Sequence, residues 1–145
     1  MNDKVKLYLS QGKYCEANEL LKNLEFSDIK NIIMSIAYDT ESIFIYDFIL
    51  FMLKKSNEKI WIELCIDVML NPLCFLEGAY SVALFHSREL LKNERNVLNL
   101  ERILFFYNIP EKLVDKNEAK SIAQEILKLE PDNVVAHDIV KEINE

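Results

Sequence analysis

The sequence predicts an all-α fold, built of αα-hairpins stacked as a short, irregular, repeat-like bundle of about eight or nine helices. Three observations carry that reading. Apolar residues recur at three- and four-residue spacing from one end of the chain to the other. Only two glycines and three prolines occur in 145 residues, too few to supply the hairpin turns, bulges and phosphate loops of a β-rich or α/β chain. Half of the residues are hydrophobic and 28% are charged, which is globular composition rather than that of a disordered chain.

The elements follow in order. Val5, Tyr8 and Leu9 mark a short first helix that ends at Ser10-Gln11-Gly12. Tyr14, Ala17, Leu20, Leu21 and Leu24 fall on one face of a second. Ser27 is a suitable N-cap for a third, through Ile29, Ile32, Ile33, Ile36 and Ala37. Thr40 or Ser42 suits as the cap of a fourth, which reaches Lys54-Lys55, where the helix dipole favours positive charge. Its β-branched residues admit a strand over 43–50. The length of the run and the lack of flanking turn glycines favour the helix. Asn57 is the expected cap of a helix through Trp61, Leu64, Cys65 and Val68 that ends at Asn71-Pro72.

A long helix is predicted over Phe75–Leu91, with Gly78 in its interior at a close helix crossing. Asn99 or a neighbour begins the next, which Pro110 stops. Asp115 opens a helix through Ala119, Ile122, Ala123 and Ile126, and Pro131-Asp132 turns the chain into a last one. No low-complexity linker interrupts the chain, and its length suits one domain of about 100–200 residues. The predicted organisation is a single all-helical domain, 1–145.

The residues at Tyr8, Gly12, Tyr14, Ala17, Leu21 and Leu24 resemble the middle of a tetratricopeptide repeat. There a glycine opens the inter-helix turn and an alanine lets two helices approach closely. Ala119, Ala123, Ile126 and Pro131 resemble the end of one. A period of about 34 residues is expected of such an array. None runs through 27–95, and Pro110 falls inside what would be a first helix. The pattern is therefore of repeat-like helix pairs rather than a regular array.

Several function classes are disfavoured. A net charge of −7, from 17 basic and 24 acidic residues, makes a poor general binder of nucleic acid, which needs a concentrated positive face. It suits a basic partner, or simply solubility. Cys15, Cys65 and Cys74 are odd in number and lack metal or redox spacing. Each lies among apolar neighbours, where cysteine acts as a small hydrophobe. His86 and His137 belong to no metal-binding pattern. His86 is expected as a hydrogen-bonded, partly buried residue near a helix end. No catalytic, cofactor-binding or metal-binding residues are assigned, and the expected protein is not an enzyme. The N-terminus lacks the apolar core of a signal peptide. The most apolar stretch, Ile43–Leu53, has 11 residues including Asp47, short of the roughly 20 that span a membrane. A cytoplasmic location is expected.

Charge is unevenly placed. Residues 13–53 hold three lysines and seven acids, a local net of −4. Asp39, Glu41 and Asp47 surround a helix junction and alternate with Tyr38, Phe44 and Tyr46. Carboxylates interleaved with aromatics suit a surface for a basic protein, the rings anchoring and the charges steering. The competing reading makes the rings core and the acids ordinary solvated helix ends. Glu77, inside the apolar stretch Leu73–Phe85, is either a binding residue beside Tyr80 or the rim of a helix crossing at Gly78-Ala79.

Phe75-Leu-Glu-Gly-Ala-Tyr80-Ser-Val-Ala-Leu-Phe-His86, Leu104-Phe-Phe-Tyr-Asn-Ile-Pro-Glu-Lys-Leu113 and Glu118-Ala-Lys-Ser-Ile-Ala-Gln-Glu-Ile-Leu-Lys-Leu-Glu-Pro131 together resemble the all-helical immunity proteins of bacterial polymorphic toxin and contact-dependent growth-inhibition systems. The resemblance covers about residues 73–140. It implies a non-enzymatic inhibitor that binds a cognate toxin domain, a basic one such as a nuclease, and occludes its active site or substrate surface. On that reading Asp39, Glu41, Asp47 and Glu77 supply acidic contacts, and Tyr46 and Tyr80 the anchors. The alternatives are a tetratricopeptide-like adaptor that binds a peptide or protein, and a small helical hydrolase using His86 with Glu77.

Overall fold

Nine α-helices form where the apolar spacing places them, and no strand is present. A computed structural model describes all 145 residues, Met1–Glu145. The helices are α1 (Asn2–Ser10), α2 (Tyr14–Leu21), α3 (Phe26–Thr40), α4 (Phe44–Ser56), α5 (Lys59–Leu70), α6 (Ala79–Asn93), α7 (Val97–Asn108), α8 (Lys116–Leu129) and α9 (Val134–Asn144). The segment 43–50, open to a strand reading, lies in and just before α4. The chain divides into two compact units, Met1–Ala83 and Leu84–Glu145. The boundary between the units lies inside α6.

In the first unit α1 packs on α2, α3 and α4, and α5 packs on α3 and α4. Val5, Leu9, Ala17, Leu21, Ile33, Ile45, Phe48 and Ile49 are each 2% exposed or less, one inward stripe per helix. α5 differs, since Trp61, Ile62, Leu64, Cys65, Ile66, Val68 and Met69 are all buried. A helix apolar on nearly every side is a core helix. Phe26 meets Trp61 edge-on, ring centroids 5.3 Å apart, and Lys30 reaches Asp67 at 3.0 Å.

In the second unit α8 packs against both α7 and α9. Ala119 and Ala123 are fully buried, and Pro131 falls in the turn before α9, where the repeat-like spacing places it. α7, α8 and α9 each have a side-chain N-cap, Asn96, Asp115 and Asn133. Two forked ion pairs hold α8, Arg88–Glu118 from α6 and Arg95–Glu125 from the α6–α7 connection, with nitrogen–oxygen distances of 2.6–2.9 Å.

Several local expectations are corrected. The segment 71–78 is turn and bend, so the predicted Phe75–Leu91 helix begins only at Ala79. Gly78 has φ +82° and nothing within 4 Å of where a Cβ would sit. It is a left-handed turn residue and not a close helix crossing. Gly12, at φ +71°, does open the α1–α2 turn as expected. Asn57 caps the C-terminus of α4 at φ 58°, and Glu58 occupies the N-cap of α5. The N-caps of α3 and α4 are Glu25 and Ile43. Thr40 instead donates its hydroxyl to the Ile36 carbonyl one turn back. Asn99 is buried in the first turn of α7, donating its backbone N–H to Asn96 and its amide to the Glu94 carbonyl. Of the cysteines only Cys65 is buried; Cys15 and Cys74 are exposed.

Candidate functional site

The six residues read from the sequence as a binding surface fall in the first unit but do not share one environment. Asp39 and Glu41 end α3. Asp39 is exposed and paired with Lys6 of α1 at 2.6 Å. Its carboxylate raises the Lys6 ammonium above its ordinary pKa, first through the hydrogen bond and then through charge, with Asp3 adding to the effect. Glu41 is the exposed C-cap of α3 and sits at φ 52°. That left-handed position ordinarily goes to glycine or asparagine.

Asp47 faces a different element. It accepts the Tyr14 hydroxyl of α2 at 2.8 Å. Tyr46 and Tyr80 are half-buried and Glu77 is exposed in the turn before α6. No hydrogen bond or ion pair joins Glu77 to Asp39, Glu41 or Asp47. The structure therefore keeps Asp39 and Glu41 together at one corner, commits Asp47 to the α2–α4 contact, and leaves Glu77 and Tyr80 around the α5–α6 turn.

The Asp39 corner includes residues that sequence reading passed over. Two cavities of about 350 and 270 Å³ lie there, and Asp3 and Lys6 line both. Leu7, Ser10, Thr40, Ser42 and Phe44 complete the larger, and Asn2, Ser35, Ile36 and Asp39 the smaller. Leu7, which lines the larger, is 53% exposed, and Tyr38 near the end of α3 and Ile43 at the start of α4 are 58 and 57% exposed. The corner thus combines apolar surface with carboxylates, the composition of a protein-binding patch. The signal for Lys6 and Leu7 was the i, i+3 and i, i+4 relation with Asp3 on α1, an exposed face carrying one large apolar residue. The approach of Lys6 to Asp39, 33 residues away, has no local signature.

The two histidines make local contacts. His86 is 2% exposed in the middle of α6 rather than near its end, with Nδ1 2.5 Å from Glu89 Oε1. His137 lies 2.7 Å from the Pro131 carbonyl oxygen through Nε2. No group of three or more His, Cys, Asp or Glu side chains is placed to hold a metal ion. No helix is long and apolar enough to cross a membrane. Compared with known proteins, the chain matches no family model, no curated protein and no solved structure.

Proposed function

We infer that the chain is an immunity protein, a non-enzymatic inhibitor that binds a basic bacterial toxin domain and covers its active site or substrate surface. The observation that carries this reading is the α1–α3–α4 corner, where Asp3, Asp39 and exposed Leu7 line two cavities that share Asp3 and Lys6, and exposed Tyr38, Glu41 and Ile43 lie at the end of α3 and the start of α4. Apolar groups there gain contact area on burial. Carboxylates accelerate encounter with a basic partner and reject acidic ones. The net charge of −7 acts in the same sense at longer range.

The first test is whether a neighbouring gene encodes a secreted protein with a toxin-like C-terminal domain, and that domain is the partner to express with this chain. The two are co-purified and their association followed by stopped flow at low and high salt. Reversal of Asp39 and Glu41 to lysine is expected to slow association at least tenfold at low salt and less at high salt. Unchanged association in the double reversal would remove this corner from the interface. A complex that fails to form with the wild-type chain would overturn the reading. A second reading, a repeat-like adaptor, draws support from the packing of α8 against both α7 and α9, with Ala119 and Ala123 fully buried.

A further inference from the structure

We propose that α7 is the contact of a symmetric dimer, in which a second copy of this chain lies parallel to it, Leu98 on Leu98, Phe105 on Phe105, and Glu101 of each copy on Arg102 of the other. The inference goes beyond the functional reading above and does not depend on it.

Arg102 is the residue that calls for a partner. The sequence has three arginines. Arg88 and Arg95 are forked onto Glu118 and Glu125. No ion pair engages Arg102, and its Nε is buried with no hydrogen-bond partner. A guanidinium with an unmet buried donor carries a desolvation cost that a carboxylate beside it offsets. Its neighbour Glu101 accepts the Asn133 amide through Oε1 at 2.6 Å. That bond holds the Glu101 side chain in place and leaves its second oxygen for another donor.

The face around these two residues is complementary to itself. Val97, Leu98, Glu101, Arg102, Phe105 and Asn108 are the residues of α7 that are not buried. Leu98 and Phe105 are 58 and 40% exposed, and at about 100° per residue they lie about 20° apart around the helix axis. Glu101 and Arg102 flank the line between them by about 50° on opposite sides. The result is an apolar seam with an acid on one edge and a base on the other. A two-fold axis parallel to α7 sets each edge against the opposite edge of the second copy, so Glu101 meets Arg102 twice while the apolar side chains meet their own kind. An antiparallel pairing sets Glu101 against Glu101 and Arg102 against Arg102, which like-charge repulsion disfavours. Both halves of the charge match lie on this one helix, and that selects a second copy over an unrelated partner. A contact of one helix face falls well below the roughly 1,600 Å² of a standard interface, so the dimer is weak and reversible.

The test is sedimentation velocity of the full chain from about 10 µM to about 1 mM, at about 0.15 M salt, where the repulsion of two acidic chains is screened beyond about 8 Å. A monomer–dimer equilibrium with a Kd of about 100 µM is expected. Arg102→Glu and Glu101→Arg, each made alone, are expected to weaken self-association about tenfold. Mixed with each other, the two variants carry opposite edges and should associate about tenfold more tightly than either does with itself, which also shows both to be folded. Leu98→Asp, at an exposed position, abolishes the dimer. Orientation is read from Leu98→Cys in a Cys15→Ser, Cys74→Ser background. Parallel pairing forms an inter-chain disulfide faster than Lys120→Cys in the same background. A wild-type chain that stays monomeric at about 1 mM overturns the proposal. So does a dimer indifferent to both Arg102→Glu and Leu98→Asp, or a variant mixture no tighter than its components. A Leu98→Cys disulfide no faster than that of Lys120→Cys overturns the parallel arrangement.

Discussion

The Tyr14 hydroxyl donates to the Asp47 carboxylate at 2.8 Å and ties α2 to α4 across 33 residues of sequence. The Tyr14 ring also lies 5.5 Å from Phe48 and 5.6 Å from Phe51, so the hydrogen bond caps an aromatic cluster. One of the carboxylates expected to meet a partner is thereby engaged within the chain.

The Tyr14 phenol is pushed up to about 12 from 10.0, first by burial and then by Asp47 through hydrogen bond and charge. A folded pKa above the unfolded one means stability that is complete below about pH 10 and lost as pH rises through about 12. Absorbance at the phenolate band is expected to show one tyrosine titrating last, and Asp47→Asn to lower that midpoint. Tyr14→Phe keeps the ring contacts and removes the hydrogen bond, costing about 1 kcal/mol in denaturant melts.

Left-handed backbone positions give a second set of outcomes. Gly12 and Gly78 have open space around the Cβ position but φ of +71° and +82°. Gly12→Ala and Gly78→Ala should each destabilise the chain by about 1 kcal/mol, from the backbone alone. Glu41, at φ 52°, predicts the opposite sign. Glu41→Gly relieves about 1–2 kcal/mol of left-handed strain against about 0.5–1 kcal/mol of unfolded-chain entropy. It should therefore be neutral or slightly stabilising in thermal melts while removing a carboxylate from the candidate interface.

The forked pairs Arg88–Glu118 and Arg95–Glu125 join α8 at two glutamates seven residues apart to α6 and to the α6–α7 connection. Double-mutant cycles are expected to return about 0.5–1 kcal/mol of coupling per pair, shrinking in high salt. The Arg95 fork holds the Glu125 carboxyl below its ordinary pKa, chiefly by hydrogen bonding. A lowered folded pKa contributes stability that is present above the unfolded value and lost as pH falls through the folded one. Glu125→Gln should flatten the acid limb of the stability profile.

Close approach around α8 is tested by size. Ala123 is fully buried, and Ala123→Leu should cost about 1–3 kcal/mol by overpacking. The exposed neighbour Lys120 accepts leucine within about 0.5 kcal/mol. Equal effects in urea melts would refute the tight packing of α8.

The helices themselves were legible because they answer to local rules. Apolar spacing gave the buried stripes of α1 to α4, Asp115 gave the start of α8, and Asn71-Pro72 the end of α5. Boundaries failed where one residue type can serve two roles. Asn57 suits an N-cap and equally a left-handed C-cap, and Gly78 suits a helix crossing and equally a turn. The choice depends on which way the chain must leave the preceding helix.

By itself the sequence determined an acidic, all-helical protein, and singled out Asp39, Glu41 and Asp47 as carboxylates beside aromatics. Only the tertiary structure decided which of them are held by other elements, with Lys6 on Asp39, Tyr14 on Asp47 and Glu41 at a strained helix end. Helix formation is set by neighbours three and four residues away, which a sequence displays. The meeting of Lys6 with Asp39 depends on how α1 packs against α3, and that is fixed by the burial of Val5, Leu9, Ile33 and Ile36 together.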